Sequence, residues 1–185
     1  MYAELNERTT NMKNGIDVLY GRRSIRKYRP EQISDAELEA VLKAGICAPT
    51  AMNYQSPIIV AVQNKEEIAY LSKMNAKIMG NENTDPFYGA PTVLVVLADA
   101  NNKNAMKDGS LVMGNLMNAA YALDLGSCWI NRATEFFAMP EGKTLLEKWG
   151  IEGEYIGIGN CILGYPDQEQ PVMKPRKEKY VYYVR

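Results

Sequence analysis

The sequence predicts an α+β layered fold, a central sheet packed against helices of unequal length, on three observations. Residues 92–98 are almost wholly apolar and β-branched, the pattern of a strand covered on both faces and therefore placed in mid-sheet. Other stretches repeat apolar residues every three and four positions, as amphipathic helices do. No internal repeat, low-complexity tract or Pro/Gly-rich linker divides the 185 residues, so the chain reads as one domain over 1–185, with 1–13 as a loose arm. Propensity alone leaves a doubly wound sheet open as an alternative.

The elements follow in order. Ile16, Leu19 and Tyr20 share a helical face that Asn14 can cap and Gly21 can end, delivering the chain to Arg22. Ser34 and Glu37 form a capping-box pattern, after which Leu38, Val41, Leu42 and Ile46 repeat at helical spacing until Pro49. Residues 58–63 read as a strand, and Ile68, Leu71, Met74, Asn75 and Ile78 as the next helix, with 81–85 as a surface loop. From Asp108 to about Asp124 a helix rich in Leu, Met and Ala is apolar nearly all round, which predicts burial in a core or between subunits. Residues 127–130 and 155–163 read as strands, with Leu145, Leu146 and Trp149 on an intervening helix closed by Gly150. The tail, 180–184, is β-prone and has no evident partner of its own.

Composition excludes several functions. Lys and Arg number 21 against 22 acidic residues, so no global field favours nucleic acid or an anionic membrane. The longest apolar runs fall well short of the ~20 residues of a membrane-spanning helix. The first 14 residues carry charges and no apolar centre, unlike a secretory leader, and a cytoplasmic location is the expectation. There is no histidine, which removes Ser-His-Asp and Cys-His catalysis and most transition-metal centres; no metal site is expected. Cys47, Cys128 and Cys161 are widely spaced and odd in number, which favours buried apolar thiols over a disulfide framework.

Two nucleotide signatures fail on inspection. Gly142-Lys143-Thr144 resembles the end of a phosphate loop, but Phe137 stands where that loop needs a glycine. Gly157, Gly159 and Gly164 follow a strand pattern, but Ile162 occupies the third dinucleotide-binding glycine position, leaving close backbone packing as the better explanation.

Two basic clusters remain. Arg22-Arg23-Ser24-Ile25-Arg26 gathers three guanidinium groups at a helix end, and Lys174-Pro175-Arg176 sets a basic pair near the other terminus. Either alone would ordinarily be a solvated basic face. Together with the segment 48–57 (Ala-Pro-Thr-Ala-Met-Asn-Tyr-Gln-Ser-Pro) and Gly126-Ser127-Cys128-Trp129-Ile130, they occur in the order found in the nitroreductase family, which the chain resembles from Ile16 to Arg176.

The resemblance implies a nitroreductase-like fold, with a mixed, mostly antiparallel sheet flanked by helices, and a homodimer with exchange of the C-terminal strand. It implies an FMN-dependent enzyme that takes a hydride from NADH or NADPH and passes electrons to a small electron-poor acceptor such as a nitroaromatic or quinone, in ping-pong fashion. The chemistry is the flavin's and needs no imidazole. Arg22, Arg26, Lys174 and Arg176 would surround the FMN phosphate, with Arg23 and Ser24 reaching the ring and ribityl chain. Guanidinium forks suit that dianion, whose arrival relieves their mutual repulsion. Pro49, Thr50, Ala51, Asn53 and Gln55 would line the flavin from the neighbouring subunit, the amides matching the donor and acceptor edge of the pyrimidine. Trp129, Ile130, Asn131 and Arg132 would bring a backbone amide to the central ring. Asn75 matches an asparagine near the ribityl chain, and Cys128 reads as core. Thr50, Ala51 and Ile58 depart from residues often found in the family, so ring contacts should differ in detail. Alternatives are a relative using the same pocket for dehalogenation or flavin breakdown, for which 81–88 is short as a lid, and a non-catalytic FMN-binding module.

Overall fold

The computed structural model describes residues 13–185; the expected arm lies outside them except for Lys13, whose ammonium donates to the Tyr121 carbonyl at 3.1 Å. Helix α1 spans Gly15–Gly21, capped by Asn14, whose side chain accepts the Ile16 and Asp17 amides. Helix α2 is Asp35–Ile46, opened by the complete Ser34–Glu37 capping box. A short 3₁₀ turn, Ala51–Asn53, leads to strand β1, Pro57–Val62. Helix α3 is Lys65–Ile78, β2 Thr92–Asp99, α4 Ala105–Ala122 and β3 Gly126–Ile130. Helices α5 (Ala133–Ala138) and α6 (Pro140–Lys148) precede β4, Tyr155–Gly164.

The sheet order is β1-β2-β4-β3 and every pair is antiparallel. The expected mixed character shrinks to one parallel bridge, Ser24 with Ser127, because the segment after α1 meets the free edge of β3 too briefly to form a strand. As expected, β2 lies inside the sheet, and its residues 93–98 are fully buried. Its alternating side chains enter two cores: Val93, Val95 and Leu97 pack with Phe87, Phe136 and Leu71, while Leu94, Val96 and Ala98 pack with Met113, Leu116 and Val41. The register shifts between Val96 and Leu97, where Ile158 is the extra residue, and the bulge turns Ile158 toward α4. A side chain at Gly109 would meet Ile158 at 2.4 Å, so that glycine lets α4 settle on the sheet.

Three expectations are corrected. Helix α4 begins at Ala105 rather than Asp108, because the Asn102 side chain accepts the Asn104 amide and turns the chain early. Helix α5 was not expected: six residues are too few to show a period, and burial of Phe136 and Phe137 holds it in place. Cys128 and Cys161 are buried as expected, but Cys47 is exposed where the chain leaves the core ahead of Pro49. The tail beyond Gln170 is exposed and forms neither strand nor helix, and residues 180–184 have no strand partner among the described residues. None of the described helices is long and apolar enough to cross a membrane.

A Cβ at Gly157 would lie 2.2 Å from the Ala133 carbonyl oxygen, so G157A should destabilise the protein by about 1–3 kcal/mol in urea unfolding. Burial pushes the Cys161 thiol up to about 12 from its ordinary 9.0, so the unfolded chain loses that proton first and this contribution to stability should decline as pH rises between those values. An alkylating reagent should label Cys47 in the native protein and reach the other two thiols only after unfolding, as read by mass spectrometry.

Candidate functional site

After α1 the chain runs along the edge of β3 and then along the start of the tail. The Ile25 amide donates to the Ser127 carbonyl at 3.0 Å, the Arg29 amide to the Tyr165 carbonyl at 2.9 Å, and the Asp167 amide to the Lys27 carbonyl at 2.9 Å. Tyr28, whose hydroxyl donates to the Ile25 carbonyl at 2.8 Å, anchors this strip in the core, and burial raises its phenol well above the usual range. Two glutamines then fasten the tail: the Arg26 amide donates to Gln168 Oε1 at 2.9 Å, and Gln170 Nε2 donates to the Gly21 carbonyl at 2.5 Å. The polypeptide's two basic segments are thereby joined, with Lys174 and Arg176 on the exposed tail only a few residues beyond the second clamp.

The basic residues have different environments. Arg22 is half-buried, and its Nη1 is enclosed without a hydrogen-bond partner; its charge also opposes the rise in the Cys161 pKa, which places the guanidinium toward β4. Arg23 turns back on its own helix, Nη1 donating to the carbonyls of Tyr20, Gly21 and Arg22 at 2.9, 3.0 and 2.7 Å, so it caps α1, while its buried Nε has no hydrogen-bond partner. Arg26 is exposed. Beside them, Ser127 Oγ and Trp129 Nε1 are buried and without partners on one face of β3. Asn75 and Asn160 are each 1% exposed, and each keeps an unpartnered Oδ1. A buried unpaired donor or acceptor costs about 1–3 kcal/mol, so this concentration marks a place shaped for a polar ligand.

Strand β3 delivers Trp129 and Ile130, both half-buried, and its ladder ends at Ile130. Trp129 lies over Gly159, where a Cβ would stand 2.6 Å from Nε1; close packing is therefore what the glycine serves. Asn131 is exposed, and Arg132 turns through a left-handed φ of 79° into α5. Arg132 Nη1 donates to Glu135 Oε1 at 2.8 Å, which holds the Glu135 carboxyl below the usual carboxylate range.

The segment from Pro49 to Gln55 lies elsewhere. Pro49, Asn53 and Gln55 are exposed, Thr50 and Ala51 half-buried, and Met52, Asn53 and Gln55 have φ values of 52°, 56° and 52°. Left-handed backbone in a non-glycine residue costs on the order of 1–3 kcal/mol, and persists only when surrounding bonds enforce it. Gln55 N–H donates to Thr50 Oγ1 at 3.1 Å, and Ala51 N–H to Asp108 Oδ1 at 3.1 Å in the first turn of α4. Gly21, by contrast, abuts Tyr121 in the last turn. At ~1.5 Å per residue, those two positions on α4 lie roughly 20 Å apart. The structure thus brings Arg22, Arg23, Ser24, Trp129 and the base of the tail together, and sets the 49–55 segment at the opposite end of α4.

Residues 19–165 match the family model described as the nitroreductase family. This chain belongs to the nitroreductase family. A relative from Archaeoglobus fulgidus, provisionally named NADH dehydrogenase/NAD(P)H nitroreductase, is 31% identical over 164 residues, which cover 86% of this chain and 89% of that protein. A solved nitroreductase with bound FMN from Bacteroides fragilis superposes with a TM-score of 0.86 at 26% identity, over 94% of this chain and all of that one (100%). An FMN-dependent nitroreductase from Clostridium difficile gives 0.80 at 29% identity, over the same shares of 94% and 100%.

Sequence reasoning missed Gln168, Gln170, Asp108 and Asn160. Only Asp108 carried a legible signal, a carboxyl group within an otherwise apolar helical pattern; the glutamines act through tertiary contacts that no local pattern encodes. A cleft of about 760 Å³ between Phe137, Leu146, Gly150 and Tyr155 is lined by none of the expected site residues.

Proposed function

We propose that this chain is one protomer of a homodimeric FMN-dependent oxidoreductase that takes a hydride from NADH or NADPH and reduces an electron-poor acceptor such as a nitroaromatic or quinone in ping-pong fashion. The observation that carries the reading is the enclosed, unpartnered Arg22 Nη1 beside the point where Gln168 and Gln170 fasten the tail that bears Lys174 and Arg176. Buried guanidinium N–H donors facing no acceptor fit an anionic group, and the FMN phosphate is one. The FMN-bound nitroreductase and the FMN-dependent one to which the chain is similar support the same reading.

When bound, FMN supplies two-electron chemistry that no side chain of this protein offers. The chain's own part is to bind and orient. Arg22, Arg26, Lys174 and Arg176 neutralise the phosphate, Ser24 and Asn75 offer polar groups to the ribityl chain, and Arg23 secures the helix end from which Arg22 projects. Backbone amides of the 129–132 stretch, where the β3 ladder ends at Ile130, would donate to the ring. Asn53 and Gln55, with Pro49, Thr50 and Ala51, form the opposite wall.

That wall comes from the partner subunit. One chain separates it from Arg22 by the length of α4, whereas a two-fold axis crossing α4 sets each chain's 49–55 segment beside the other's arginines. The surface there supports such a contact. Ile16, Leu19, Tyr20, Ile46, Met52 and Leu111 are 48–83% exposed, and a groove of about 760 Å³ runs between Leu19, Ala44, Asn118 and Ala122. The tail, with no strand partner among the described residues of its own chain, crosses to the other protomer. We read the whole chain as a single domain in that assembly.

Mixing the yellow protein with NADH or NADPH in a stopped-flow instrument should bleach the flavin absorbance, and a nitroaromatic or quinone should restore it; a protein that stays yellow with both nucleotides overturns the enzyme reading. R22A and K174A should each weaken FMN about 10- to 100-fold by titration. Unchanged binding in both would remove the phosphate assignment. Analytical ultracentrifugation should give a dimer, with more than ~2,000 Å² buried.

A further inference from the structure

We propose that Asp108 is the positioning residue that sets the conformation of the 50–55 segment and, through it, the ring-side wall of the flavin pocket. The role rests on the flavin reading above and adds to it a buried side chain that acts only through the wall residue it holds, Ala51.

Asp108 is 3% exposed. It sits in the first turn of α4, where a carboxyl group commonly caps its own helix, yet α4 has no side-chain cap bond at its N-cap residue. Asp108 Oδ1 instead accepts the amide of Ala51, a residue 57 positions earlier in the chain. Its Oδ2 is buried without a hydrogen-bond partner, and no ion pair among the described residues includes it. A carboxyl group kept in the interior with half its acceptor capacity unused is poorly suited to stability alone. What it does hold is the first residue of the turn that carries three left-handed, non-glycine positions, Met52, Asn53 and Gln55.

The other bonds of that turn are internal. Asn53 N–H donates to the Thr50 carbonyl at 3.1 Å, Tyr54 N–H to the Ala51 carbonyl at 3.0 Å, and Gln55 N–H to Thr50 Oγ1 at 3.1 Å. These bonds shape the turn but do not tie it to the body of the protein. That tie is made at one end by Asp108 and at the other by Asn102, whose Nδ2 donates to Ser56 Oγ at 2.9 Å. The Asn53 and Gln55 side chains are exposed and, among the described residues, bonded only to each other, Gln55 Nε2 donating to Asn53 Oδ1 at 3.2 Å, so the backbone conformation of the turn sets the direction of the pair. Releasing Ala51 lets the left-handed residues relax toward ordinary backbone and swings both amides away.

The test compares wild type, D108N, which keeps a neutral acceptor, and D108A, which keeps none. In the flavin-free protein, hydrogen exchange of the Ala51 amide should quicken about 10- to 100-fold in D108A and by less in D108N. Titrations with FMN and riboflavin should weaken by the same factor in D108A, since the lost contacts lie on the ring, whereas R22A should weaken FMN alone. D108N should recover most of the loss. Unchanged Ala51 exchange in D108A overturns the proposal, as does weakening of FMN with riboflavin untouched. Loss of thermal stability in D108A that D108N does not rescue overturns it too, by making Asp108 a residue of the core. A wild-type protein that takes up neither flavin overturns the flavin reading instead, and Ala51 exchange then still decides whether Asp108 holds the turn.

Discussion

The fold depends on the burial of β2 on both faces. A strand covered on one side needs one partner layer; this one, Thr92–Asp99, needs two, and each carries part of the candidate site. The layer made by α2 and α4 carries the 49–55 segment and the end of α1, and the layer made by α3, α5 and α6 carries Asn75 and the turn at Arg132. Strands β3 and β4 extend the sheet to the edge where the arginine segment docks. Small residues set the spacing: Gly109 and Gly157 let α4 and α5 approach the sheet closely enough that Ile158 and Ala133 fill the space.

Polar groups are distributed unevenly on this scaffold. Most exposed charges either pair locally, as Lys27 does with Asp167 at 2.6 Å, or face water, and such pairs contribute little. Enclosed donors and acceptors without partners occur at Arg22, Arg23, Ser127 and Trp129, and elsewhere at Glu67, Asn75, Asn160 and Asp108. A protein selected for stability alone would pair or remove them. Retention of the Arg22, Arg23, Ser127 and Trp129 atoms around one strip of backbone is what a bound, polar, partly anionic ligand accounts for.

The strongly periodic and strongly capped elements were legible before any coordinates. Ser34 with Glu37 opens α2, Asn14 opens α1, and the apolar run of β2 marks the middle of the sheet. The boundaries of α4 were not, because Asn102 starts the helix from a loop position that carries no periodicity. Helix α5 escaped for the same reason of scale, with Phe136 and Phe137 directed by burial rather than propensity. At the site, motif order named the arginines, but Arg23 proved to cap its own helix, an arrangement fixed by where three carbonyls end and not by residue type.

Residue order by itself determined the class of fold, the family likeness and the types of side chain available: guanidinium groups at one end, a basic pair at the other, no imidazole anywhere. These follow from local spacing and composition, which a linear string carries in full. Only the tertiary structure decided that Gln168 and Gln170 draw those ends together, that the 49–55 segment stands a helix length away, and that Asp108 reaches across to hold it. Each is a contact between residues far apart in the chain, and such contacts come into being only when packing has fixed where the elements lie.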